Sequence, residues 1–174
     1  PTEDTSRAVV DEIGAFADHH LGKGVVIAKD TPNFIGNHLA LAGVVRLLSL
    51  VEAGSYSIEE IDAMTGPAIG RPKSATFRTL DLAGVDILVH VIRNLHERLP
   101  DEKARARFVL PAFVEQMAAR GLLGEKAGQG FYKRIKGADG ESEILTLDHE
   151  TLEYRPRKPV KLPSLDAANA ISDT

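Results

Sequence analysis

The polar side chain in this sequence with the most potential for chemistry is that of Asn37. It stands near the start of an apolar run from residue 34 to residue 51, where an amide needs hydrogen-bond partners because an unpaired buried polar group costs free energy. Two interpretations fit this pattern. Asn37 satisfies a local backbone group, or it faces a cavity and binds a carbonyl or hydroxyl oxygen of a substrate. The residues alone favour neither.

A glycine-rich segment, residues 124–130, is the second candidate, with Lys126 inside it. A Gly-x-Gly-x-x-Gly turn that follows a strand binds the pyrophosphate of a dinucleotide. The segment instead follows a predicted helix and precedes a predicted strand, and the sequence contains no such fingerprint. The pattern therefore favours a tight turn whose glycines adopt positive φ.

Metal and nucleophile chemistry find little support in the sequence. None of the six histidines has His-x-x-x-His or Glu-x-x-His spacing, and there is no cysteine. His19 and His20 are adjacent at a predicted helix end, and His90 and His96 point to different sides of a predicted helix. No Gly-x-Ser-x-Gly segment marks a nucleophilic serine. We therefore predict neither a metal site nor a catalytic nucleophile in this chain.

Composition restricts the possible partners. The formal net charge of −4 gives no overall electrostatic case for nucleic acid or an anionic membrane. The most apolar stretch, residues 34–51, is interrupted by polar side chains and glycine, which indicates a core helix and not a membrane span. The absence of cysteine suits a reducing compartment. We expect a cytoplasmic protein without a membrane span.

The first thirty residues indicate a truncated α/β unit. Asp4 or Thr5 is expected to cap a helix that ends at Gly22, and residues 24–28 form an apolar, β-branched run that predicts a buried strand. One strand cannot stand alone, and the chain begins at Pro1 without an initiator methionine. We expect a piece of a longer polypeptide whose sheet lies upstream.

The rest of the chain is predicted to be mainly helical. The capping box Ser57 to Glu60 starts a short helix that runs to about residue 64. From residue 154 onward a proline-spaced linker is expected. Periodicity and turn residues predict three further helices, an irregular loop and two strands joined by a turn: helices 30–54, 81–100 and 108–120, loop 66–72, strands 131–135 and 144–147, turn 137–140.

Four blocks of sequence carry a family resemblance: DTPNFIGNHL (30–39), VEAGSYSIEEID (51–62), GRPKSATFRTLDLAGVD (70–86) and LGEKAGQGFY (123–132). They are similar, in the same order, to sequence blocks of the 3-hydroxyacyl-CoA dehydrogenases. Each block alone is a weak signal, whereas four in register are specific. The resemblance extends into residues 1–29.

The resemblance implies a fold and an activity. Members join an N-terminal Rossmann domain that binds NAD to a helical domain, similar to the C-terminal domain of 6-phosphogluconate dehydrogenase, that dimerises and closes over acyl-CoA. They oxidise L-3-hydroxyacyl-CoA to 3-ketoacyl-CoA in fatty-acid β-oxidation. Their catalytic His–Glu pair would precede Pro1. Domain bounds of 1–29, 30–150 and 151–174 follow, for the end of the NAD-binding domain, the helical domain with its hairpin, and a linker.

Two residues match family site residues. Asn37 matches an asparagine near the reacting oxygen of the substrate, where a neutral amide donor suits a developing carbonyl. Lys126 matches a lysine that reaches NAD from the helical domain, where a flexible cation suits a pyrophosphate or ribose. The resemblance thus implies a substrate-binding Asn37, a cofactor-binding Lys126 and no catalytic residue in this chain.

The sequence also departs from the family pattern. Asn33 replaces a glycine, His38 replaces an arginine, and residues 73–76 replace Met-Gly-Pro. These changes resemble a subfamily in which an enoyl-CoA hydratase is fused to the dehydrogenase. They leave the acyl chain length open. A second hypothesis is a helical dimerisation module of another two-domain dehydrogenase, without chemistry of its own.

Overall fold

The computed structural model of the protein describes residues 1–136 and 141–170. In them the chain is mainly helical, which confirms the predicted fold class, and the turn predicted at 137–140 lies outside the described residues. The helices are α1 Arg7–His19, α2 Gly36–Glu52, α3 Ile58–Thr65, α4 Phe77–Ala83, α5 Val85–Arg98, α6 Glu102–Arg105, α7 Ala112–Ala119 and α8 Pro163–Asn169, with 3₁₀ turns at Pro67–Ile69 and Glu125–Ala127. The strands β1 Tyr132–Lys136, β2 Ser142–Leu147 and β3 Tyr154–Pro156 form one antiparallel sheet in the order β1-β2-β3.

Apolar side chains at helical spacing build the core. Helix α5 buries Val85, Leu88, Val89, Ile92 and Leu95 along one stripe, as the period of the sequence predicts. This stripe packs with the inward faces of α2, α3, α4 and α7, and buried side chains of the sheet cover one end of the cluster. None of the helices in the described residues is long and apolar enough to cross a membrane.

The single helix predicted for residues 81–100 is wrong. Two helices, α4 and α5, meet at Gly84, whose φ of 102° and ψ of 127° are not helical. At the junction the Val85 N–H donates to the Leu123 carbonyl at 3.2 Å, so the chain leaves the helical hydrogen-bond ladder for a distant loop. Only glycine adopts this backbone conformation without strain.

Two predicted helix starts are also wrong. Helix α2 begins at Gly36 and not at residue 30, because Asn33 and Phe34 have φ of 62° and 49°. Helix α7 begins at Ala112 and not at residue 108, because Pro111 disfavours helical backbone in the residue before it. The capping box is confirmed, since the Glu60 N–H donates to Ser57 Oγ at 3.2 Å and the Ser57 N–H donates to Glu60 Oε2 at 2.8 Å.

The strand predicted for residues 24–28 is absent, although the helix before it is confirmed. Val25, Val26 and Ile27 are 48%, 76% and 54% exposed and pair with no strand in the described part of the chain. A strand needs a neighbour to satisfy its backbone groups. Helix α1, which Ser6 caps in place of Asp4 or Thr5, buries no residue either.

The linker predicted from residue 154 is wrong in part. Residues Tyr154–Pro156 form β3, which pairs with β2 so that Tyr154 lies opposite Leu147. Farther along, Pro163–Asn169 forms helix α8. The predicted hairpin is confirmed, with a register that runs from Tyr132 opposite Thr146 to Lys136 opposite Ser142.

We predict that Asp81→Ala destabilises the protein strongly. Asp81 is 1% exposed, and its carboxylate accepts the N–H groups of Phe131 at 2.8 Å and Tyr132 at 2.9 Å. Its removal leaves two buried donors unsatisfied, at about 1–3 kcal/mol each. Urea denaturation measures the loss. The control is Asp101→Ala, which removes an exposed acceptor of the Lys103 N–H and should cost about 1 kcal/mol or less. Equal losses would contradict the prediction.

Candidate functional site

Asn37 lies in the first turn of α2 with an exposed side chain. Within residues 1–136 and 141–170 that side chain donates to no backbone carbonyl and accepts from no backbone N–H. The interpretation of Asn37 as a local cap therefore has no contact to support it. Its amide is available to a ligand that approaches the start of α2.

The turn before α2 is built from residues in the left-handed region. Asn33 and Phe34 have φ of 62° and 49°, and the Phe34 N–H donates to the Thr31 carbonyl at 3.0 Å. Asparagine tolerates this region better than other non-glycine residues. The geometry thus explains how asparagine at position 33 can adopt a conformation that glycine adopts most easily. A bulky residue at positive φ is strained, and such strain concentrates at functional sites.

Next to Asn37, the half-buried ring of His38 packs edge-on against Phe108, with ring centroids 5.0 Å apart. This contact fixes the direction of the first turn of α2 relative to the residues before α7. His38 therefore contributes an aromatic contact to the core.

The glycine-rich segment is a tight turn, as predicted. Gly124 and Gly128 have φ of 92° and 71° and flank the 3₁₀ turn Glu125–Ala127 that carries Lys126. A Cβ at Gly124 would collide with the backbone of Asp81, and one at Gly130 would collide with the Asp81 carboxylate. The glycines are needed here because the segment wraps closely around Asp81.

Lys126 is held by an ion pair that the sequence did not reveal. Its Nζ lies 2.6 Å from Asp86 Oδ2, and both side chains are about half exposed, at 49% and 41%. The hydrogen bond from Lys126 lowers the pKa of Asp86 below its ordinary value. A Cβ at Gly84 would lie 2.9 Å from Asp86 Oδ1 and 3.2 Å from Lys126 Nζ. Gly84 thus leaves room for the pair.

No hydrogen bond among the described residues joins Asn37 and Lys126. It brings Lys126 together with Asp86, which appears in the sequence only as the last member of an Asp-x-x-Gly-x-Asp block. In the same ranges, no cluster of three or more histidine, aspartate or glutamate side chains could hold a metal ion.

Comparison with known proteins identifies the family. A family model described as the 3-hydroxyacyl-CoA dehydrogenase C-terminal domain matches residues 34–134. The chain belongs to the 3-hydroxyacyl-CoA dehydrogenase family. Both Asn37 and Lys126 fall inside the matched region. The membership inferred from the four sequence blocks is therefore confirmed.

Relatives of this 3-hydroxyacyl-CoA dehydrogenase chain are considerably longer. A probable 3-hydroxyacyl-CoA dehydrogenase of Bacillus subtilis is 42% identical over 174 residues, which are 100% of this chain and 21% of that protein. One of Deinococcus radiodurans is 44% identical over 136 residues, 78% of this chain and 38% of that protein. The chain thus spans between about a fifth and two fifths of the length of these relatives.

Two solved structures share the fold. The crystal structure of Mycobacterium tuberculosis FadB2 is similar with a TM-score of 0.65 at 28% identity, over 76% of this chain and 45% of that one. The (S)-3-hydroxybutyryl-CoA dehydrogenase PaaH1 of Ralstonia eutropha gives a TM-score of 0.64 at 24% identity, over 74% and 43%. The helical architecture is therefore that of the dehydrogenase family.

We predict opposite titration behaviour for two buried carboxyls near the sheet. Burial alone would raise the pKa of Glu59, but hydrogen bonds from Arg155 and the Lys158 N–H outweigh it and lower the pKa from 4.5 to about 2. Burial raises the pKa of Asp81 from 3.8 to about 6. Carbon-13 NMR of the two carboxyl carbons should show both midpoints.

The contributions of the two carboxyls to the free energy of unfolding therefore depend on pH in opposite directions. Glu59 contributes stability above its unfolded pKa of about 4.5, and this contribution is lost as the pH falls towards about 2. The contribution of Asp81 is fully present below about 3.8 and is lost as the pH rises through about 6. Two carboxyls that both titrated near pH 4 would contradict this prediction.

Proposed function

We propose that this chain is the helical part of an NAD-dependent L-3-hydroxyacyl-CoA dehydrogenase of fatty-acid β-oxidation. The observation that carries the proposal is the family match over residues 34–134, which includes Asn37 and Lys126. The greater length of the relatives supports an NAD-binding domain on the same polypeptide. The reaction is the oxidation of the 3-hydroxyl group of an acyl-CoA to a ketone.

Residues 1–29 would be the end of that NAD-binding domain. Val9, Ile13 and Phe16 form one face of α1, and their exposed fractions are 49%, 62% and 50%. An apolar helix face is stable when another layer covers it. The exposed residues 25–27 follow this helix after the five residues 20–24 and would supply a strand to the missing sheet. The helical domain would then extend past residue 150 to include β3, since β3 pairs with β2.

Each of the two site residues would have one task. NAD accepts the hydride when it is bound. The His–Glu pair that acts as general base and takes the hydroxyl proton would lie outside this chain, before Pro1. Asn37 donates its amide N–H to the substrate oxygen and stabilises the developing carbonyl without competing as a base. Lys126 fits a contact to an anionic cofactor group, because its side chain is half exposed and the ion pair with Asp86 restricts the positions that its ammonium group can occupy.

A homodimer is part of the proposal. The large apolar side chains of Leu82 and Ile87 on α4 and α5, and of Val109, are each more than half exposed, which suits an interface between subunits. A cytoplasmic location is proposed from the absence of cysteine. The alternative function is a dimerisation module without chemistry of its own. It would use the same apolar surface as an interface, but in it Asn37 would not contact a substrate.

We predict that the 174-residue chain alone does not oxidise NADH with acetoacetyl-CoA. It contains neither the glycine fingerprint nor the His–Glu pair that the reaction needs. The assay follows NADH absorbance, with a complete dehydrogenase as the positive control. Turnover by the chain alone on the order of 10 per second would overturn the proposal that the residues needed for the reaction lie outside this chain.

We predict that Asn37→Ala in the complete enzyme lowers kcat and leaves the unfolding midpoint almost unchanged. Loss of one oxyanion donor lowers turnover by up to about 10²-fold, and the amide has no partner in the described structure whose loss would cost stability. Asn94→Ala, on α5, is the matched control and should leave both quantities unchanged. A destabilised variant with normal turnover would show that Asn37 is a structural residue. A variant with unchanged turnover and unchanged stability would favour the alternative in which this helical domain is only a dimerisation module.

A further inference from the structure

A cleft of about 960 Å³ lies between the sheet, helix α3 and the segment that follows β3. Side chains alternate along a strand, so Tyr132, Arg134 and Lys136 of β1 share one face, and all three line the cleft. Their cross-strand neighbours Ile144 and Ser142 line it as well. The cleft is therefore built mainly on this face of the hairpin, with Ile135 as a further lining residue. Neither Asn37 nor Lys126 lines it.

The carboxylates that line the cleft are all engaged. Glu59 is buried and pairs with Arg155 at 2.6 Å. Glu125 pairs with Arg78 at 2.6 Å. Asp62 accepts three backbone N–H groups and a tyrosine hydroxyl. Arginine therefore compensates the charges of Glu59 and Glu125, whereas Asp62 accepts only from neutral groups and its charge offsets part of the positive charge of the cleft.

Four other cationic side chains line the same cleft: Lys73, Arg134, Lys136 and Arg157. In the part of the chain that the structure describes, none of them makes an ion pair. Arg157 is held over the ring of Tyr132, with its guanidinium carbon 5.6 Å from the centroid. Several uncompensated positive charges inside a concave, low-dielectric wall create a strong local attraction for anions. This local charge contrasts with the formal net charge of −4 for the whole chain.

We propose that this cleft binds a small ligand that carries two linked phosphates. Guanidinium groups bind phosphate oxygens in a bidentate manner, and ammonium groups add point charges from other directions. The volume lies within the range of small-molecule sites, about 300–1,000 Å³. The cations converge on one half-open cleft, which distinguishes the site from the extended basic stripe of a nucleic-acid-binding surface. Dinucleotides and coenzyme A both carry linked phosphates, as does free pyrophosphate.

The test is calorimetric titration of sodium pyrophosphate into the 174-residue chain. Saturable binding is expected, tighter than that of inorganic phosphate. The double variant Arg134→Gln/Lys136→Gln should weaken it by at least about tenfold, because it removes two charge-assisted hydrogen bonds to the phosphates. Both side chains are exposed, and circular dichroism verifies that the variants fold.

Lys133→Gln is the matched control. Lys133 belongs to the same strand and loses the same charge, but its Nζ lies 5.2 Å over the ring of Tyr154 and the residue does not line the cleft. Its effect should be less than about twofold, because a charge outside the site acts only through the screened field. An equal loss in this control, or none in the double variant, would overturn the proposal.

Three further ligands identify the source of the phosphates. If NAD or coenzyme A binds, and the double variant weakens its binding by the same factor as that of pyrophosphate, that molecule is supported as the ligand. Binding of pyrophosphate alone supports the free diphosphate. A short single-stranded RNA that binds more tightly than all of them would replace the proposal with a nucleic-acid site. Absence of saturable pyrophosphate binding would refute it. These measurements need no turnover, so they stay independent of the proposed dehydrogenase activity.

Discussion

The buried carboxylate of Asp81 connects the helical core to the sheet. It accepts two backbone N–H groups from a segment 50 residues away, and the glycines around that segment lack side chains because the carboxylate and its own backbone occupy the space. This packing fixes the turn that carries Lys126 and the start of β1. The ion pair with Asp86 and the hairpin face of the cleft both depend on that placement.

The elements that follow from local sequence were predictable, and those that depend on distant contacts were not. The stripe of α5 and the capping box of Ser57 are set by neighbours within two turns. The break at Gly84 depends on a loop around Leu123 that no local pattern reveals. Residues 24–28 have strand-like composition, yet composition cannot supply a partner strand. The three residues of β3 are too short for a periodic signal.

The same distinction applies to the site. Asn37 could be selected from the sequence because an amide stands out in an apolar helix, although pattern alone could not decide its role. Lys126 was found only through the family resemblance, since a glycine-rich turn by itself indicates just a turn. Asp86 was missed as its partner because the two lie 40 residues apart. The four lysine and arginine side chains of the cleft that are unpaired within the described residues come from three separate segments, so their convergence is a property of the fold.

The pair between Glu59 and Arg155 joins residues 96 apart, and this separation has a kinetic consequence. Closing so long a loop costs conformational entropy before the contact contributes anything in return, so we expect the pair to form after the helices have assembled. Contacts absent from the folding transition state act mainly on the rate of unfolding. We therefore expect the pair to slow unfolding, which lengthens the lifetime of the native state, and to change the rate of folding very little.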